Sequence, residues 1–281
     1  MGAVDIVKQS IKYPFENKKV WLIIGVLFLL GVILEELTEF FEGNLLYHAF
    51  KIIYFIGSLF VSGYEVSVVH HGVKGLDDTP DFTFKEQIIY GFKSTMFYFV
   101  YFFFPLVIGV VVAYLLGVFS NAHKASVLLS SSPVLQHMID NGAFLISSNY
   151  AKIAMIVPHG ILINLAIGII VTVIIAFIAF LVFTLFALIG HIVGEEHGFK
   201  KGFNIKFVSK KLKNIGWSLI LSWYIMMIIL IVVLLIIRSL VQMIPEVGPY
   251  LAALIITSYL FMMTFRSVGL VYHEEETDID E

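Results

Sequence analysis

Cysteine is absent from all 281 residues, which removes disulfides, thiolate nucleophiles and cysteine metal ligands together. Charge is scarce as well: Asp, Glu, Lys and Arg make up 14% of the chain, against 59% hydrophobic residues. Soluble domains carry ~25% charged and ~45–50% apolar residues, so the composition leaves no room for a separate soluble domain. The fingerprints of common chemistries are missing too. There is no Walker A loop, no GxSxG elbow, no HExxH pair and no dinucleotide-binding glycine pattern. No enzymatic activity, cofactor or nucleic-acid partner is therefore expected.

What fills the chain is six long apolar stretches, at 20–34, 45–69, 95–119, 161–189, 217–237 and 250–270. Most reach the ~20 residues a helix needs to cross the hydrocarbon core. The first is shorter and borrows Leu37, Phe40 and Phe41. The fold class expected is all-α: a polytopic helical membrane protein with one membrane domain over 1–281. The first stretch does not read as a cleaved signal, because it follows an amphipathic lead and Pro14 and ends without a small-x-small site.

Orientation follows from the basic residues. Lys8, Lys12, Lys18 and Lys19 precede the first stretch, and Lys74, Lys85 and Lys93 lie between the second and third. Lys200, Lys201, Lys206, Lys210, Lys211 and Lys213 lie between the fourth and fifth, with Arg266 near the last exit. Fourteen of the 18 Lys and Arg thus gather on alternate turns. Lys51, Lys124, Lys152 and Arg238 fall on the other side. The positive-inside rule then places both termini in the cytoplasm, with the chain in the cell membrane.

Three lead-ins resemble one another: 6–21 (IVKQSIKYPFENKKVW), 85–98 (KEQIIYGFKSTMFY) and 205–217 (IKFVSKKLKNIGW). Each is a short basic amphipathic segment, with Val4, Val7 and Ile11, then Phe84, Ile88 and Phe92, then Phe203, Phe207, Val208 and Leu212 on one face. Such segments are expected in the headgroup layer, apolar face down, with Lys8, Lys12, Lys85, Lys93, Lys206, Lys210 and Lys213 toward anionic lipid. An ordinary cytoplasmic turn is the alternative. The even-numbered stretches also close alike, on His70-His71, on His191 with His197, and on His273. The chain therefore reads as three repeats of interfacial helix plus membrane hairpin, at about 1–76, 77–200 and 201–273. The middle repeat carries an external insertion, 120–159, in which Ser132-Pro133 looks like a helix start. The acidic tail 274–281 is expected to be disordered and to face the lysines of 200–213.

Four segments, SIKYPF at 10–15, GSLFVSGY at 57–64, KGLDDTPDF at 74–82 and IYGF at 89–92, resemble a family of prokaryotic, largely archaeal membrane proteins catalogued as DUF4013. The resemblance covers the first third well and the rest as a hydropathy pattern. It implies a helical membrane fold and no activity. In that family an arginine commonly follows soon after the Gly-Tyr pair, whereas here Glu65 follows Tyr64.

Ionisable residues inside spans are costly and invite a functional reading. Glu65, His191 and Arg266 occupy comparable depths in the second, fourth and sixth stretches. A pseudo-symmetric packing would bring them to one polar pocket near the cytoplasmic face, able to gate a proton or hold a polar head group. The structural alternatives are a Glu65–Arg266 pair, with His191 bonded to a carbonyl, or snorkelling. His70, His71, His197 and His273 are ligands of a type zinc accepts, yet histidines suit helix C-termini anyway, and no metal site is expected. Asp77, Asp78 and Asp81 read as turn formers around Pro80. Gly57 with Gly63, and Gly109 with Gly117, would let helices approach closely. Three functions remain open. The first is binding or moving a lipid or small amphipathic solute between repeats, with membrane lipids as partners. The second is a scaffold or regulatory subunit with a protein partner or a second copy of itself. The third is an intramembrane enzyme.

Overall fold

The structure, a computed structural model, describes residues 2–131 and 156–277. Among the described residues every regular element is helical. Six helices are long and apolar enough to cross a membrane: Lys18–Phe40, Leu45–Val73, Phe84–Leu115, His159–His197, Trp217–Gln242 and Gly248–His273. In chain order the elements are α1 (Ala3–Glu16), α2 (Lys18–Phe40), α3 (Leu45–Val73), α4 (Phe84–Leu115) and α5 (Val118–Ser130). They continue with α6 (His159–His197), α7 (Phe199–Gly202), α8 (Ile205–Ile215), α9 (Trp217–Gln242), α10 (Gly248–Leu251) and, after a π-helical turn at Ala252–Thr257, α11 (Ser258–Thr277). Two compact units result, one from Met1–Phe99 with Phe186–Glu281, the other from Val100–Leu185.

In the first unit α11 is the hub. Met262, Met263 and Ser267 are fully buried, and Arg266, Val268, Leu270, Val271 and Tyr272 nearly so. The small residues there explain the tight packing. A Cβ on Gly72 of α3 would stand 2.8 Å from the Cα of Gly269 of α11. A Cβ on Gly63 would strike the backbone carbonyl of Gln87, and one on Gly91 the carbonyl of Leu59. Lipid gives no hydrophobic drive for helices to associate, so van der Waals contact between close backbones supplies the attraction. Gly57, expected to serve the same purpose, faces open space instead.

The lead-ins depart from three equal copies. The first and third are separate helices, and Gly216, at φ +97°, breaks α8 from α9 in a conformation side chains disfavour. The second is continuous with its span as α4. No turn residue lies between Phe84 and Leu115, and Pro105, deep in the span, leaves the helix intact. Nor do the apolar faces of all three point to lipid. In α1 the buried face is Ala3, Ile6, Ser10 and Tyr13, while Val4 is exposed and Val7 and Ile11 are half-buried. In α8 Val208 and Leu212 are fully buried, leaving Lys206, Lys210 and Lys213 on the exposed side. Asn204 caps that helix, its side chain accepting from the amides of Lys206 (3.1 Å) and Phe207 (3.2 Å).

The π-helical turn sits where α2 crosses. The indole of Trp21 donates there to Ile255 O at 3.2 Å and to Ser258 Oγ at 2.9 Å. Gly25, one turn on, has the backbone of Leu254 where a side chain would be.

The second unit holds the remainder of α4 and α6 with α5. Phe102 pairs with Phe180 at 5.2 Å, and Phe104 stacks on Phe183 at 4.9 Å. Gly109 lies against Ala176. Gly117, expected to ease helix approach, instead turns the chain between α4 and α5 at φ +68°. The helix start expected at Ser132-Pro133 lies outside the described residues. At the C-terminus α11 continues as helix to Thr277, into the stretch expected to be disordered, and 278–281 lie outside the described residues.

Candidate functional site

Segment 74–83, between α3 and α4, is held from every side. Arg266 of α11, 2% exposed, donates to the carbonyl of Leu76 and, at 2.9 Å, to the carboxylate of Asp77. Its guanidinium also lies over the Tyr13 ring, 4.9 Å from the centroid. Asp77 is 90% exposed, so the ion pair itself is worth little. Arg266 is held chiefly by the carbonyl and the ring. Tyr13 donates to the carbonyl of Asp78 at 3.3 Å. Burial pushes its phenol up to about 12, opposed by Arg266 and aided by Asp78 and Asp77; it therefore stays a donor at any physiological pH. Asn17 reaches the carbonyl of Asp77 at 3.4 Å, and Tyr64 donates to that of Pro80 at 3.2 Å while stacking on Phe82. His273 donates to the carbonyl of Val73 at 2.6 Å, and His71 Nδ1 stands 3.4 Å from the Asp78 carboxylate. A cavity of about 210 Å³ opens beside Arg266, lined by Gln9, Lys12, Tyr13, Glu16 and Asp77.

Glu65 and His191 have other partners. Glu65, buried in α3, accepts from the phenol of Tyr98 in α4. His191 is 3% exposed, edge-on to Phe97 at 5.5 Å, and its Nε2 has no hydrogen-bond partner among the described residues. Lys93, expected at the membrane interface, is half-buried and bound to Glu195 of α6 at 3.1 Å. Arg266 and Glu65 do not pair, and none of the cavities found draws its lining from all three of Glu65, His191 and Arg266. Lys8, Lys12, Lys85, Lys206, Lys210 and Lys213 are exposed. Among the described residues no group of three or more His, Asp or Glu is placed to hold a metal. His70, His71, His197 and His273 are spread over the ends of three different helices.

Other space lies between α2 and α3. An apolar groove of about 380 Å³ is lined by Leu27, Gly31 and Leu34 on α2 and by Tyr54, Gly57 and Val61 on α3, among others. These positions follow the i, i+3/i+4, i+7 spacing that puts them on facing sides. The groove is open because glycine stands at Gly31 and Gly57. Toward the α2–α3 turn a second cavity of about 590 Å³ is lined by Glu35, Thr38, Glu39, Glu42, Tyr47, Lys51 and Tyr54. Tyr54 belongs to both. Lys51 Nζ lies 4.3 Å from the centroid of the Tyr47 ring. Glu36 faces away from this cavity and accepts from Tyr250 at 2.7 Å. The sequence singled out Lys51 and Gly57, the latter for close helix approach, but not the groove, whose signal is two glycines on separate helices.

A family model described as protein of unknown function (DUF4013) matches residues 46–243. That span runs from α3 through α9, and takes in 57–64, 74–82 and 89–92 but not 10–15. No curated protein and no solved structure matches the chain.

Proposed function

The chain belongs to the DUF4013 family, and on that footing we propose that it is a multi-pass membrane protein that binds a lipid or other small amphiphile between α2 and α3. One observation carries this reading: an apolar groove between the two spans and a more polar cavity toward their connecting turn share Tyr54 in their linings. An amphiphile needs both kinds of surface, in that order along the membrane normal. From Leu27 to Leu34 the groove is ~10 Å long at 1.5 Å per residue, enough for part of an alkyl chain. The proposal does not involve catalysis.

Both termini lie in the cytoplasm of a cell in this reading, supported by the lysine asymmetry and by the exposed Lys206, Lys210 and Lys213 of α8. The polar cavity then faces outward. Three hairpins, at about 1–76, 77–200 and 201–273, remain the organisation we favour, with the binding groove inside the first. The experiment is native mass spectrometry of the full chain released from membranes, beside Gly57→Leu. Retention of a small amphiphile by the wild type and its loss from the variant is expected. Equal retention by both would remove the groove as the site.

A second reading has support of its own. The backbone contacts at Gly63, Gly72 and Gly91 make the α3–α4–α11 core close-packed, as a scaffold or regulatory subunit requires. Stoichiometric co-purification of another protein, with no amphiphile retained, would favour it.

A further inference from the structure

We infer that the amphiphile held between α2 and α3 carries a positively charged head group, an ammonium on an alkyl chain. This rests on the groove reading above and adds to it the chemistry of the head. The outer cavity presents three carboxylates, Glu35, Glu39 and Glu42, against one ammonium, Lys51, a lining charge of three negative less one positive. Among the described residues none of the three carboxylates has a cation or a hydrogen-bond donor for its side chain. The one cation is placed over the Tyr47 ring. A fourth carboxylate, Glu36, is satisfied by Tyr250; the contrast marks the other three as uncommitted.

Charge and aromatic chemistry then agree on the sign of the ligand. Uncompensated carboxylates at the edge of a low-dielectric slab attract a cation and repel an anion more strongly than they would in bulk water. Tyr47 and Tyr54 line the same cavity, Tyr47 already holds the Lys51 ammonium over its ring, and aromatic faces favour ammonium groups. The apolar groove leading away from Tyr54 fixes the rest of the molecule, since a free inorganic cation would leave Leu27, Gly31 and Val61 without a partner. A fatty acid would set its carboxylate among three others. An ammonium-headed chain satisfies both ends.

The test uses the full chain in phosphatidylcholine nanodiscs with two photoactivatable probes of equal chain length, one a dodecylamine and one a dodecanoic acid. Each is brought to the same mole fraction in the bilayer, and the labelled peptides are mapped by mass spectrometry. The amine is expected to label the 27–34 and 53–62 segments at least about tenfold more than the acid, equivalent to ~1.4 kcal/mol. Glu39→Gln with Glu42→Gln should remove most of that preference while leaving the protein folded, since both side chains are exposed. Gly57→Leu should remove labelling by either probe. Equal labelling by amine and acid, both abolished by Gly57→Leu, would overturn the charged-head assignment and leave the groove standing. Labelling indifferent to Gly57→Leu, or none in these segments, would overturn both.

Discussion

The ring of Tyr64 lies flat on the ring of Phe82, centroids 4.4 Å and planes 4° apart. The tyrosine closes the GSLFVSGY segment and the phenylalanine closes KGLDDTPDF, so two of the segments by which the chain resembles its family meet in one contact. Tyr13 of SIKYPF reaches the same connection through Asp78. Phe82→Ala should therefore release the 74–83 connection, losing ~0.5–1.5 kcal/mol of ring pairing beyond the buried area. Cleavage before Asp77 and Asp78 by an Asp-specific protease should accelerate; an unchanged rate would mean the stack does not hold the connection.

Arg266 serves two acceptors at once, the Leu76 carbonyl and Asp77, and so uses the fork of its guanidinium. Lysine, a compact point charge, lacks that fixed two-nitrogen fork. Arg266→Lys should lower the melting temperature in detergent nearly as far as Arg266→Met, by an amount corresponding to ~1.5–3 kcal/mol for a lost charged hydrogen bond. Asp77→Asn should cost much less, because Asp77 is largely exposed. A full rescue by lysine would count against this geometry.

Gly63 and Gly57 share a helix and differ in surroundings. Gly63→Ala places a methyl on the Gln87 carbonyl and forces α3 from α4, at ~1–3 kcal/mol of overpacking. Gly57→Ala meets open space and should be neutral or slightly stabilising. Thermal unfolding of the two single variants compares them directly.

Glu65 and Tyr98 form one buried pair. A double-mutant cycle of Glu65→Leu and Tyr98→Phe should give a coupling energy of ~0.5–3 kcal/mol. Glu65→Gln keeps an acceptor for the phenol and should behave almost as wild type. Additive single effects would show that the pair contributes nothing.

Topology is open to labelling. Cysteines introduced at Ser131 and Lys210, in a chain that has none, should react with an impermeant maleimide from opposite sides of intact cells. Reaction of both from one side would sink the proposed orientation.

Much of this fold was written in hydropathy. All six membrane-length helices fall where the apolar stretches lie, because the need to satisfy every backbone group inside lipid leaves a helix as the only choice for an isolated run. What hydropathy does not carry is which face of a helix meets which neighbour. Val4, Val7 and Ile11 formed the obvious stripe on α1, yet the buried side is Ile6, Ser10 and Tyr13, where Arg266 of α11 lies over the Tyr13 ring. The same holds for Glu65, His191 and Arg266: similar depth in three spans did not make them neighbours, since the partner of each is set by rotation about its own helix axis. Arg266 went to a loop carbonyl, Glu65 to a phenol on the next helix, α4. Tyr54 was invisible for a related reason, being one aromatic among many until two glycines on facing helices opened space beside it.

The wide turn at Ala252–Thr257 amounts to one extra residue wound into the last membrane helix. Winding the same residues as ordinary α-helix would swing everything beyond them by roughly 100°. Arg266 would then leave Leu76 behind, and Gly269 would no longer face Gly72. The inner half of this helix is thus phased against its outer half by a local slack, with Trp21 acting as the pin that keeps the slack in place.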